Sequence, residues 1–505
     1  MDRSFLRHAA VYSVANFLVQ GGSFILLPIY LRCLTPADYG VLEVTGRLAE
    51  TVGTFLLLGG LRQGLYTFYQ QAADDRERRQ VVSATFLLIL VCCLVGGLGS
   101  LAFGPWLGEW LAPSGGDGSA LPLPLLNLAI LAILLEPLSL FPLTLIQARV
   151  ESGRYVVIVV TQFLMRVGLC ILLVRFLRWG VAGALIATAV NGVLFGLWLT
   201  GRELSRSLCL PTWAQLRGLV TFSLPLLPGG LCFFVLHHGD RFFLLRHASV
   251  ADVGTYALGY KLAMVVRLFS LVPLYMVWSS RMYEVARTPD AATTFGKVIT
   301  RILAAYLFAG LGLCLFAPEI VLVLGGRNYL DAVPLVAPVV VACFFQSAAA
   351  LMDGGFYIRR RMGRKLAVTV AATVVILALY AVLIPWYGGM GAAVATVGGF
   401  AFLAVATLAV TQRIFAVRYE WHRLAAGCAI VVALWYVGNL LPIGGWGLPA
   451  KAALLLLAPL LAWAAGLVSD EERATVDAGL ARLLRRWPGR RPADPMTEAP
   501  VVMPR

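Results

Sequence analysis

The chain has 505 residues, 60% of them hydrophobic and 13% charged, with a mean hydropathy of +0.82. A soluble domain carries about 25% charged residues, so roughly half of the usual charge is missing and a fold that must present a polar surface to water is excluded. The net charge of +15 would suggest nucleic acid for a soluble protein; here the excess lies between apolar runs, where it sets topology, and no nucleic-acid partner is expected.

A membrane crossing needs about 20 mostly apolar residues. In chain order such runs fall at 9–31, 40–66, 81–103, 121–146, 156–174, 180–200, 219–245, 253–278, 298–316, 332–357, 366–385, 389–411, 424–441 and 448–467. The expectation is an all-α polytopic membrane protein with about 14 transmembrane helices. The first run is too long for a signal-peptide core and reads as a span. A tight turn, Gly444-Gly445-Trp446-Gly447, separates the last two. Nine cysteines, mostly inside apolar runs, have no spacing that suggests a metal site, redox pair or disulfide framework.

The 41 Lys and Arg residues test this order. The N-terminus, the segments after even-numbered spans and the tail after Ser469 hold 29, including five between Arg359 and Lys365; the opposite segments hold 6. Such a bias puts both termini in the cytoplasm. The largest outer segments, about 104–120 and 317–331, are shorter than the roughly 50 residues that a folded domain needs. Residues 469–505 form a basic cytoplasmic tail. Its amphipathic stretch Ala481–Trp487 suits either an anionic lipid surface or plain solvation, and its proline-rich end reads as disordered.

Arg32–Leu48 and Arg246–Leu262, offset by 214, share five identities in seventeen: Arg32/Arg246, Ala37/Ala251, Asp38/Asp252, Gly40/Gly254 and Leu48/Leu262. Thr35/Ser249 and the paired aspartates are good helix caps, so turn chemistry explains part of the match. Arg47/Lys261 is a different matter, because both lie seven residues past the glycine, about 10 Å along a span. An offset of six crossings makes the repeats parallel, a known transporter plan. The expected division is an N-terminal lobe at 1–200, a C-terminal lobe at 201–412 and two appended helices at 413–468.

Six basic residues fall inside these spans: Arg47, Arg62, Arg166, Arg241, Lys261 and Arg267. Each costs on the order of 2.5–3.5 kcal/mol at a helix centre. Arg62 and Arg241 lie near span ends, where snorkelling is expected. Arg47, Arg166, Lys261 and Arg267 are deeper and are the candidates for a cationic substrate cavity. Glu50, Glu136, Asp240 and Asp353 are the intramembrane acids singled out. Glu50 lies three residues after Arg47 and can pair with it on one helix face. Glu50 and Asp240 are the candidates for ion coupling. A surplus of cations suits an anionic substrate, and arginine forks match phosphate oxygens. The sequence has no Gly-x-x-x-x-Gly-Lys-Ser/Thr loop, no His-Glu-x-x-His and no serine-elbow motif, so neither a cofactor nor an enzymatic activity is expected.

The polar-dotted first span, Ser13-Val14-Ala15-Asn16-Phe17-Leu18-Val19-Gln20, followed by Leu34-Thr35-Pro36-Ala37-Asp38-Tyr39-Gly40, resembles the oligosaccharide flippases of the polysaccharide transporter family. That family lies within the multidrug/oligosaccharidyl-lipid/polysaccharide (MOP) exporter superfamily. The resemblance implies a bacterial inner-membrane protein that moves undecaprenyl-diphosphate-linked glycans to the periplasmic leaflet by alternating access. It further implies an H+ or Na+ gradient as the driving force and association with polysaccharide assembly proteins. A peptidoglycan-precursor flippase or a multidrug/cation antiporter of the same superfamily is the alternative, although a cationic cargo would favour a more acidic cavity. A membrane glycan polymerase or ligase is the alternative of another class; it would be expected to use a long periplasmic loop, and none is present.

Overall fold

The computed structural model describes residues 24–56, 58–111, 122–207 and 209–465, and every regular element among them is helical. The predicted start of the first span and the tail stretch Ala481–Trp487 lie outside these residues. Helix α1 (Phe24–Cys33) turns sharply into α2 (Pro36–Phe55), which α3 (Leu58–Gln71) continues. Then follow α4 (Asp75–Leu111), α5 (Leu123–Ala148), α6 (Ser152–Cys170, with a π-helical turn at Ile171–Phe176) and α7 (Gly180–Ser207). The seventh crossing combines α8 (Trp213–Ser223) with α9 (Leu227–His247). The eighth combines α10 (Val250–Val266), a π-helical turn at Arg267–Leu271, and α11 (Val272–Val285). Next are α12 (Ala291–Gly325), α13 (Val333–Met352), the short α14 (Gly354–Ile358), α15 (Met362–Ile414), α16 (Trp421–Asn439) and α17 (Gly447–Ala464).

Eleven helical stretches among the described residues are long and apolar enough to span a membrane. One of them, α15, has 53 residues. At 1.5 Å per residue it would run about 80 Å, far beyond a hydrocarbon core of roughly 30 Å. Gly388, at φ 52° and ψ −129°, folds it back into two antiparallel crossings. A side chain at Gly391 would sit 2.2 Å from the Leu383 carbonyl oxygen, so the two arms close tightly only with glycine there. The α2–α3 crossing makes thirteen among the described residues, and α1 is the described end of the first predicted span. The α2–α3 crossing is unusually polar, with Glu43, Arg47, Glu50 and Arg62 along it.

Small residues let the helices approach closely. On α7, Gly192 packs on Leu135 and Gly196 on Leu138 of α5. α16 and α17 pack beside α12, where Lys451 donates to Glu319 at 2.6 Å and the Gly444 amide adds a second bond to the same carboxylate. At the end of the bundle that carries the basic loops, the fully buried Glu203 of α7 accepts from Arg149 and Arg154, both at 2.7 Å. Arg149 also donates to the Tyr69 hydroxyl, so this hub joins α3, the α5–α6 turn and α7.

Candidate functional site

The site is built where the two repeat segments meet. Each helix opens with the same capping box. The Thr35 hydroxyl donates to Asp38 Oδ2 at 2.7 Å and accepts from the Asp38 amide; Ser249 and Asp252 do the same, again at 2.7 Å. Immediately after the caps, α2 and α10 cross with their backbones in contact. A methyl on Gly40 would sit 2.0 Å from the Val250 carbonyl oxygen, and one on Gly254 would sit 2.0 Å from the Pro36 carbonyl oxygen. Only glycine permits this crossing from either side. Tyr329 adds a bond from its hydroxyl to the Leu34 carbonyl and packs edge-on against Tyr39. The turn end of the bundle is therefore closed.

One turn further in, the helices present charge to each other. The Glu43 carboxylate, 5% exposed, receives Arg47 Nε at 3.0 Å, Lys261 Nζ at 3.3 Å and Arg241 Nε at 3.7 Å. Arg47 reaches on to Glu50 at 2.6 Å. Arg241 is 2% exposed and pairs with its buried neighbour Asp240 at 2.7 Å; the other Asp240 oxygen accepts from Tyr256 at 2.6 Å. Aromatic faces complete the setting, with Arg241 over Tyr260 at 4.3 Å and Lys261 over Tyr39 at 5.0 Å. Cations on aromatic faces keep their charge stabilised where water is scarce.

A cavity of about 330 Å³ opens on this cluster, lined among others by Glu43, Arg47, His238, Arg241, Tyr260, Lys261 and Arg267. Its lining carries four cations and a single carboxylate. His238 Nδ1, Arg241 Nε, Tyr260 Oη and Arg267 Nε are buried with no hydrogen-bond partner among the described residues. A buried donor left unpaired costs about 1–3 kcal/mol, so Tyr260 and Arg267 favour an acceptor-rich ligand. The adjacent His237 is engaged: its Nδ1 lies 2.8 Å from the Phe233 carbonyl oxygen and its Nε2 meets the Gln346 side-chain amide.

His238 also lines a larger cavity of about 640 Å³ that runs toward the basic end between α2, α3, α5, α8 and α9. Glu50, Arg62, Glu136 and Ser223 contribute its polar groups. The two crossings that flank the site are both interrupted. Helix α2 ends at Phe55, with a turn at Leu56, and α10 ends at Val266. In the second case Pro273 has no N–H to continue an α ladder, and the chain takes a π-helical turn starting at Arg267.

Arg47, Lys261 and Arg267, three of the four candidate substrate residues, surround the small cavity. Arg166 does not: it is exposed on α6 and interacts electrostatically with Glu136 of the larger cavity. Arg241 is not at an interface, where a snorkelling side chain would be, but is one of the most buried large side chains of the chain. Of the two carboxylates considered for ion coupling, Glu50 is 46% exposed and faces the large cavity, whereas Asp240 is sealed beneath Arg241 and Tyr256. The centre of the cluster, Glu43, was missed among the intramembrane acids. Its spacing of four residues before Arg47 on one helix was the readable signal.

The cationic cavity is thus enclosed between the spanning helices of a multi-pass membrane protein, next to the closed turn end of the bundle. Residues 5–279 match the family described as polysaccharide biosynthesis protein, and the chain belongs to that family. No curated protein matches the chain in sequence. Among solved structures, the lipid II flippase MurJ in an inward closed conformation aligns with a TM-score of 0.72 at 11% identity, over 94% of this chain and 100% of that one. A multidrug resistance MATE family transporter of the MOP superfamily, inward-facing, aligns with 0.66 at 16% identity, over 81% and 98% of the two chains. An outward-facing MATE structure aligns with 0.52 at 15% identity, over 80% and 93%. The fold is that of the MOP superfamily.

Proposed function

We propose that the chain is a flippase that moves a polyprenyl-diphosphate-linked oligosaccharide across the bacterial inner membrane during surface polysaccharide synthesis. The observation that carries this reading is the cluster of Arg47, Arg241, Lys261 and Arg267 around a cavity inside the spanning helices, where Tyr260 Oη and Arg267 Nε are buried without a hydrogen-bond partner among the described residues. A diphosphate brings several charged acceptor oxygens, the ligand that such donors prefer. The two lobes, 1–200 and 201–412, meet at the Gly40/Gly254 crossing and alternate access around the cavity, with 413–468 appended. The basic end faces the cytoplasm by the charge rule, so the larger cavity opens toward the leaflet where the lipid-linked glycan is made. The better alignment with inward-facing relatives agrees with this state. Ion coupling, if a gradient drives the cycle, falls to Glu50, the reachable carboxylate.

The likeness to a lipid II flippase favours a second reading, transport of a peptidoglycan precursor, which presents the same diphosphate to the same cations. One experiment tests both. A strain lacking the gene accumulates, in the cytoplasmic leaflet, the lipid that the protein carries. Accumulation of a lipid-linked surface oligosaccharide supports the proposal; accumulation of peptidoglycan precursor supports the second reading; accumulation of neither contradicts both.

A further inference from the structure

Glu43 stands among the cations that line the small cavity. Its two carboxylate oxygens lie 3.0–3.7 Å from cations on three different crossings. Among the described residues it is the only acid lining the small cavity. Two of its three partners do not depend on it, because Arg47 also has Glu50 and Arg241 also has Asp240. The repeat sharpens the point. The residue equivalent to Arg47 is Lys261, another cation, but the residue equivalent to Glu43 is Ala257, fully buried and neutral. An acid needed only to neutralise the cations could stand on either helix or on both. Here it stands on one, where it can reach the cations of the other.

Resting on the diphosphate reading, we propose that Glu43 is an internal anion that competes with the substrate for the cationic site and makes the site selective for a diphosphate over a monophosphate. A monophosphate headgroup, with its acceptor oxygens on a single phosphorus, gains little by replacing a carboxylate that is already in place. A diphosphate spreads its charge and a larger set of acceptor oxygens over two phosphoryl groups, which reach more of the lining cations than one group can, and displaces it. Selectivity of this kind comes from a built-in competitor rather than from an added attraction.

The test is equilibrium binding of farnesyl diphosphate and farnesyl monophosphate to the purified full chain in lipid nanodiscs. The wild type is expected to prefer the diphosphate by about tenfold or more. Glu43→Gln, nearly the same size, is expected to bind both probes more tightly, the monophosphate gaining most, so that the preference falls to about threefold or less. Glu43→Asp keeps the charge and should retain most of the preference; it also serves if Glu43→Gln does not fold. Wild-type binding with unchanged or weaker binding in Glu43→Gln overturns the role of Glu43. So does a Glu43→Asp variant that loses the preference while its affinity for the diphosphate falls. If neither wild type nor Glu43→Gln binds either probe, the diphosphate reading fails and this inference fails with it.

Discussion

Gly40 and Gly254 occupy the same place in the two repeats and each rests on the other helix, Gly40 against the Val250 carbonyl and Gly254 against the Pro36 carbonyl. A methyl group at either position would collide with backbone, which cannot yield as a side chain can. Gly40→Ala and Gly254→Ala should each disfavour the closed turn end by about 1–3 kcal/mol, the usual size of an overpacking penalty. Spin labels at Ala37 and Ala251 should report a longer distance in either variant. Gly46→Ala on the same helix, where a methyl would meet nothing within 4 Å, should leave the distance unchanged. A long distance in the Gly46 variant alone would contradict the assignment.

Lys261 depends on Glu43 for its charge partner, whereas Arg47 is held between Glu43 and Glu50. Lys261→Gln and Arg47→Gln should each reduce transport by about tenfold or more at unchanged protein level, the loss expected when one charged hydrogen-bonding group is removed from a ligand. Arg47→Lys should keep part of the activity, because the charge survives and the fork does not. Since Arg47 does bond Glu50, the double change Arg47→Gln with Glu50→Gln decides whether that pairing is the whole purpose of Arg47. Full recovery of transport in the double variant would show that it is.

Glu203 has no exposed surface and bridges Arg149 and Arg154, which are each about a quarter exposed. Removing one member of a buried pair costs about 3–5 kcal/mol, and the partial exposure of the guanidinium groups puts Glu203→Gln near the low end of that range. The variant should show a lower thermal unfolding midpoint while its diphosphate affinity is unchanged, because the hub is remote from the small cavity. A loss of affinity without loss of stability would tie the hub to the site.

Orientation rests on the basic loops. With the nine native cysteines replaced, a cysteine at Arg361 should resist a membrane-impermeant thiol reagent in intact cells, and one at Ala37 should react. The reverse pattern would invert the molecule and place the open cavity on the outer side.

Fourteen crossings were legible because length, apolarity and charge bias are local properties of the sequence. Even the fold-back in the 53-residue α15 falls at Gly388, between the predicted spans 366–385 and 389–411. The pairing of Arg47 with Lys261 at equal depth was readable from the repeat. What could not be read was which faces of α2, α9 and α10 meet. Glu43 carries only an i,i+4 relation to Arg47 in sequence, and its bonds to Lys261 and Arg241 span more than 190 residues. For the same reason Arg241, near the end of a predicted span, reads as a snorkelling residue, while the packing of α9 against α2 and α10 buries it. Arg166 is exposed on α6 and does not line the small cavity.

The most direct measurement is the translocation rate of a fluorescently tagged polyprenyl-diphosphate oligosaccharide across proteoliposomes, followed by an impermeant quencher. The wild-type chain is expected to move the lipid well above protein-free vesicles, and Lys261→Gln and Arg267→Gln, inserted to the same level, are expected to lose most of that rate. Translocation at the wild-type rate in both variants would contradict a cationic site as the seat of transport.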